Sequence, residues 1–107
     1  DPSANPYLLF ASVLKAGIDG MQRNLKAPKP IEENVYKIKS DVLKTKGIDL
    51  LPRSLWEALA YFHRSKMAKS ALGDILFQRY YEIKTKEWEE YSIQVSKWEQ
   101  DKYLELY

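Results

Sequence analysis

Apolar residues dominate the first twenty positions of the chain and recur there with helical spacing. Asn5 can cap a helix, and Pro6 suits the first helical position because a proline lacks the N–H that would have no partner there. The polar positions of this segment share one narrow stripe: Ser12, Lys15 and Asp19. The remaining arc carries Leu9, Phe10, Val13, Leu14, Ile18 and Met21. The pattern predicts a helix from Pro6 to Met21 that is mostly covered by something large.

Two glycines interrupt this apolar segment. Gly17 and Gly20 each weaken a helix by roughly 1 kcal/mol relative to alanine, so they indicate close approach of another backbone. Without such a cover, the apolar arc should drive self-association or fold back on the rest of the chain.

Residues 27–53 have the composition of a linker-rich connector. Two prolines make Ala27–Pro30 a linker, and weak alternation over Glu32–Lys39 indicates an irregular or extended segment. Ser40 is expected to cap a short helix that runs to Lys46 and ends at Gly47, a residue suited to a left-handed conformation.

The second half of the chain predicts further helices. A capping-box spacing at Ser54 opens one to about Arg64, and Ser65 caps another that Gly73 ends. Asp74 to about Gln94 reads as one long helix, with an aromatic stripe as its main packing surface. That stripe comprises Phe77, Tyr80 or Tyr81, Lys84, Trp88, Tyr91 and Val95. Ser96 and Glu99 repeat the capping-box spacing and begin a terminal helix.

Length and composition limit the classes of protein to which the chain can belong. The 107 residues, 45% hydrophobic and 30% charged, predict a single all-α region, 1–107, of about five or six helices without a sheet. The net charge of +2 and the interspersed charges argue against a nucleic-acid or membrane partner. The chain has no cysteine, and no apolar run approaches the roughly 20 residues of a membrane span. A cytoplasmic protein is therefore expected.

Few residues of the chain are candidates for a catalytic or ligand-binding role. His63, the only histidine, is expected to be a surface residue or a partner for a helix dipole rather than a general base. The acidic pairs and the basic patch are read as solvated surfaces: Glu32, Glu33, Glu87, Glu89 and Glu90, and Lys37, Lys39, Lys44 and Lys46. There is no phosphate-binding loop and no nucleophile motif. The residues themselves thus predict no catalytic, cofactor-binding or metal site.

The run DPSANPYLLFASVLKAGIDGM resembles the segment that follows the last active-site strand of glutamine synthetases. The similarity continues in order, with family-like spacings, through most of the chain and is closest to the prokaryotic type I enzymes. Its further motifs are Pro30–Tyr36, Lys46–Pro52, Ser54–Leu59, Ala71–Gly73, Glu87–Tyr91 and Gln94–Glu99. The chain therefore looks like a C-terminal helical fragment of such an enzyme.

The resemblance implies a parent enzyme that joins ammonia to glutamate, using ATP and Mg or Mn ions through a γ-glutamyl phosphate intermediate. Its metal-binding and substrate-binding groups precede Asp1, so this chain should be inactive alone and should back the active-site sheet with the helix Pro6–Met21. The family also implies a homo-oligomer, a dodecamer of two rings, joined by the C-terminal tail. The matching contact candidates are Trp98, Tyr103, Leu104, Leu106 and Tyr107.

Tyr36 falls at the tyrosine that some bacterial type I enzymes present for adenylylation. The residues that follow it, Lys37–Ser40, lack the Leu-Pro-Pro context of the regulated enzymes, so a packed tyrosine is the alternative. Other interpretations stay open: a stand-alone helical interaction module, a docking surface for a regulator protein, or a related glutamate–amine ligase. The last is raised by Ile75, which stands where the family often has histidine.

Overall fold

The computed structural model describes residues 3–104, apart from the side chain of Ser40. Every regular element in this part of the chain is helical, which confirms the all-α prediction. The α-helices are α1 (Pro6–Gln22), α2 (Ser40–Thr45), α3 (Leu55–Arg64), α4 (Lys66–Ser92) and α5 (Lys97–Tyr103), and a single 3-10 turn, Val35–Lys37, precedes α2. The chain divides into two compact units, Asp1–Arg53 and Ser54–Tyr107.

Local capping sets both ends of α1. The Asn5 side-chain oxygen accepts the backbone N–H groups of Tyr7 at 3.0 Å and Leu8 at 3.3 Å, so the predicted start is confirmed. After the helix, Asn24 adopts a positive φ of 51°. The Leu25 N–H then reaches the Gly20 carbonyl at 3.0 Å, and this pairing closes the last turn.

Helix α2 ends by the same device. Gly47 has a φ of 71°, and the Ile48 N–H donates to the Leu43 carbonyl at 3.0 Å. The end predicted at Gly47 is therefore confirmed. The predicted cap is wrong by one position, because Ser40 is the first helical residue and Lys39 takes the cap position without a side-chain hydrogen bond. Leu43 on α2 is buried.

The C-terminal unit is built on a turn of one residue between α3 and α4. Ser65 ends α3, and its hydroxyl oxygen accepts the Ala68 N–H at 3.1 Å to begin α4, as the sequence predicted. Seven residues into α4, Gly73 breaks the helical path with φ 75° and ψ 163°. Helix α4 therefore has two arms, residues 66–72 and 74–92, and the second arm packs against α3.

Aromatic rings fill the contact between α3 and α4. The Phe62 and Phe77 rings are stacked, with centroids 4.6 Å apart, and Tyr80 lies 5.3 Å from Phe62. Leu59 and Phe77 are buried at 3% and 5% exposure. Each such burial contributes about 1.5–3 kcal/mol, so this small core supplies much of the stability of the unit.

The predicted aromatic stripe is confirmed from Phe77 to Trp88 and is wrong beyond it. Phe77 is buried and the next members, Tyr80, Tyr81, Lys84 and Trp88, are half-buried, whereas Tyr91 and Val95 are exposed. The physical reason is length: α3 has 10 residues and the second arm of α4 extends well beyond the aromatic contact with it.

The packing of the second arm of α4 against α3 depends on the backbone conformation of Gly73. Its φ and ψ lie in a region that is essentially restricted to glycine, although a Cβ there would meet no atom within 4 Å. We expect Gly73→Ala to lower the free energy of unfolding by about 1–3 kcal/mol through backbone strain alone. Denaturant unfolding followed by circular dichroism measures this. Ser70→Ala, an exposed change in the same helix, is the control, and equal stability of the two variants would contradict the assignment.

Candidate functional site: two exposed surfaces and a tyrosine loop

Helix α1 exposes most of its apolar arc, although Ile18 is half-buried. No residue of α1 is buried, and Phe10 is 70% exposed. We call the exposed set the α1 apolar face: Leu9, Phe10, Val13, Leu14 and Met21. Monomeric proteins rarely leave a continuous apolar face of this kind open, and those that do usually bind another surface through it. The described residues do not form the cover that the sequence predicted for α1, so that cover stays a prediction.

The glycines of α1 do not contact another part of this chain. A Cβ built on Gly17 or Gly20 would meet no atom within 4 Å. The close backbone approach expected from the sequence is therefore absent within the described residues. Any such approach must come from outside them.

Helix α5 is held by a complete capping box. The Glu99 carboxylate accepts the Ser96 backbone N–H at 2.7 Å, and the Ser96 hydroxyl oxygen accepts the Glu99 N–H at 3.2 Å. Hydrogen bonds to the Glu99 carboxylate, first from the Ser96 backbone N–H and then from the Ser96 side chain, lower the pKa of Glu99 below its ordinary value of 4.5. The sequence predicted this box, and it gives a seven-residue helix a fixed start.

The C-terminal aromatic surface, defined here as Trp98, Tyr103 and Leu104, lies on and just after α5. Trp98 and Tyr103 meet edge to face with centroids 6.0 Å apart, and the Lys102 ammonium lies 4.8 Å from the Trp98 ring centre. All three members are exposed, with Trp98 at 60%. Beside them is an open groove of about 570 Å³ whose walls include Val95 and Gln100.

Among the predicted tail contacts, the structure thus brings Trp98 and Tyr103 together with Leu104 nearby in sequence. Leu106 and Tyr107 lie outside the described residues. The Lys102 contact with Trp98 was not predicted, although the spacing of four residues on one helix could have indicated it.

A closed loop presents Tyr36. Its ring is 96% exposed, and its N–H donates to the Asn34 side-chain oxygen at 3.1 Å. An ion pair of 2.7 Å between Glu33 and Lys46 joins the two ends of the loop, 13 residues apart. The packed tyrosine considered from the sequence is not what this chain forms. The Glu33–Lys46 pair was missed because residues that far apart in sequence have no periodic signal.

The remaining candidate groups form no reaction centre. His63 is exposed in the last turn of α3 and its ring lies tilted against that of Tyr81, with centroids 4.5 Å apart, so it is a surface residue as predicted. Within residues 3–104, no group of three or more His, Asp or Glu side chains is arranged to hold a metal ion. In the same residues, none of the helices has the length and apolar character needed to span a bilayer.

Comparison with known proteins identifies the family of this chain. The family model described as the glutamine synthetase catalytic domain matches residues 1–103, and the chain therefore belongs to the glutamine synthetase catalytic-domain family. This finding confirms the resemblance drawn from the sequence motifs.

Individual relatives agree with the family assignment. The chain is 42% identical over 107 residues to a glutamine synthetase of Clostridium saccharobutylicum and 38% identical over 107 residues to one of Staphylococcus aureus. It is 41% identical over 106 residues to a glutamine synthetase of Methanococcus voltae. The match covers 99–100% of this chain but only 24% of each relative. The chain therefore spans about a quarter of the length of these proteins.

The capping box of α5 predicts a pH dependence. Because the pKa of Glu99 is lowered in the folded state, its ionised form stabilises the start of α5 above the unfolded value of 4.5, and this stabilisation is lost as the pH falls through the lower folded pKa. In NMR spectra, the Ser96 amide proton should titrate with a midpoint below 4.5. Glu99→Gln should remove that titration. A Ser96 titration that persists in Glu99→Gln would show that another group causes it.

Proposed function

We propose that this chain is the C-terminal part of an ATP-dependent ligase that joins ammonia to glutamate. The observation that carries the proposal is the match to the glutamine synthetase catalytic domain over residues 1–103, with relatives at about 40% identity. By the same resemblance the parent protein uses ATP and Mg or Mn ions and works in the cytoplasm. Since no described side chains form a metal-ligand group, we expect those sites in the remainder of the protein.

Within that enzyme, we assign the chain a structural role in two places. The α1 apolar face would back the active-site sheet, because burying five large apolar side chains on one helix requires a broad partner. The C-terminal aromatic surface would contact a neighbouring subunit of a two-ringed homo-oligomer. Exposed aromatic side chains are well suited to such contacts because they bury large areas. The whole of 1–107 would then act as one helical region of the catalytic domain.

Activity measurements test this proposal directly. The full-length protein that contains this chain should form glutamine from glutamate, ammonia and ATP, whereas the 107-residue chain alone should form none. Trp98→Ala combined with Tyr103→Ala should shift the full-length oligomer towards smaller species in sedimentation experiments. Lys97→Ala, an exposed change on the same helix, is the control.

Either measurement can contradict its part of the proposal. Turnover by the 107-residue chain alone would overturn the structural role. Full-length protein that ligates another amine but not ammonia would favour the related-ligase alternative. An oligomer that is unaffected by the double substitution would remove the tail contact while leaving the ligase assignment in place.

We propose a second role for Tyr36 as a regulatory adenylylation site. The observation in its favour is the 96% exposure of the side chain on a loop closed by the Glu33–Lys46 pair, since a modifying enzyme must reach the hydroxyl. The residues after Tyr36 depart from the regulated enzymes, which weighs against the role.

Mass spectrometry of the protein purified from its native cells tests the Tyr36 role. Under ammonium excess, the peptide that contains Tyr36 should carry an adenylyl group, and peptides that contain Tyr61 or Tyr103 should not. Tyr36→Phe should abolish the modification without changing basal ligase activity. An unmodified Tyr36 in ammonium-grown cells would reject this role.

A further inference from the structure

Gly17 lies at the centre of the α1 apolar face. Residues two apart on a helix differ by about 200° in direction, and Gly17 is two residues from both Lys15 and Asp19 of the polar stripe. It therefore lies opposite that stripe. Large exposed side chains, those of Phe10, Val13 and Leu14, surround it on the same face. Because glycine has no side chain, the surface of the helix is recessed in the middle of its most apolar side. Gly20 extends this recess, which we call the low surface.

Neither glycine is explained by the conformation or packing of this chain. Positive φ among the described glycines occurs at Gly47 and Gly73, not at Gly17 or Gly20. A Cβ at either α1 position would meet no atom within 4 Å. Alanine would fit both places and favour the helix more than glycine does. Glycine at these positions therefore destabilises the helix, and no contact within the described residues compensates for that loss.

We propose that the part of the same protein lying outside this chain packs its backbone directly against α1 at Gly17 and Gly20. The relatives that match this chain over 99–100% of its length are about four times longer, because the match covers 24% of them. The α1 apolar face and its cover would then belong to one polypeptide. This inference rests on the proposed function and makes it more specific, since it names the residues that set how closely the helix approaches its partner.

The side chains around the glycines define how the partner fits. Phe10, Val13 and Leu14 flank the low surface, so a passing backbone segment contacts apolar groups on its sides and the α1 backbone beneath it. An added methyl group at Gly17 would hold that segment away and leave gaps around the flanking side chains. Gaps of this kind are costly because protein interiors are closely packed.

Four proteins test the inference in the full-length enzyme: the wild type, Gly17→Ala, Phe10→Ala and Lys15→Ala. We expect Gly17→Ala to lower the thermal midpoint by several degrees and to reduce the assembled fraction, even though alanine favours helix. Phe10→Ala should also lower the midpoint, because it removes a large side chain from the α1 apolar face whether or not a backbone approaches the glycines. Lys15→Ala, on the polar stripe, should leave it unchanged. In the 107-residue chain alone, Gly17→Ala should retain or increase the helical circular dichroism signal.

The outcomes separate this inference from the proposed function. If Phe10→Ala destabilises the full-length protein and Gly17→Ala does not, the backbone approach is overturned while the structural role of α1 stands. If neither variant destabilises the protein, the backbone approach and the structural role of α1 both fail, and the ligase assignment is decided by the activity measurement. If Gly17→Ala lowers helicity in the isolated chain, its effect is local and the inference is overturned. Concentration-dependent association of the isolated chain that Gly17→Ala weakens would assign the face to a second copy instead, which also overturns it.

Discussion

The stacked contact between Phe62 and Phe77 holds the C-terminal unit together, and it depends on the backbone of Gly73. Ser65 alone separates α3 from α4, and the non-helical angles of Gly73 then set the direction of the long second arm of α4, which brings Phe77 against Phe62. A continuous helix through residue 73 would direct the following residues along another path. The geometry of one residue thus decides which aromatic side chains can meet.

The N-terminal unit is organised differently. Its helices are set by local caps, at Asn5 and Asn24 for α1 and at Gly47 for α2, and Leu43 is its buried residue among those described. Its long helix has no buried residue at all. Most helical stability in proteins comes from packing of the apolar face rather than from propensity. A unit with this pattern is therefore expected to acquire much of its stability from a larger protein, in agreement with a chain that spans about a quarter of its relatives.

Both units expose large apolar or aromatic side chains, at the α1 apolar face in one and at the C-terminal aromatic surface in the other. Within the described residues, no group of side chains is arranged to hold a metal ion. The match to the glutamine synthetase catalytic domain over residues 1–103 therefore rests on helical segments and the loops between them.

The sequence by itself determined most helix starts and stops, because caps, prolines and glycines act over three or four residues. Asn5, Ser54, Ser65, Gly73 and Ser96 were all assigned correctly on that basis. It also placed the apolar residues of α1 on one arc, and most of that arc is exposed. Ser40 was misassigned because a serine can occupy either the cap or the first helical turn, and neighbouring geometry decides between them.

Only the tertiary structure decided which part of the aromatic stripe is buried, how the Tyr36 loop is closed, and that the α1 glycines have no partner within the described residues. The stripe from Phe77 to Val95 is periodic throughout, yet its last members, Tyr91 and Val95, are exposed. The Glu33–Lys46 pair joins residues that are distant in sequence. Burial and ion pairing depend on what lies opposite a side chain in space, and periodicity along one element contains no information about that.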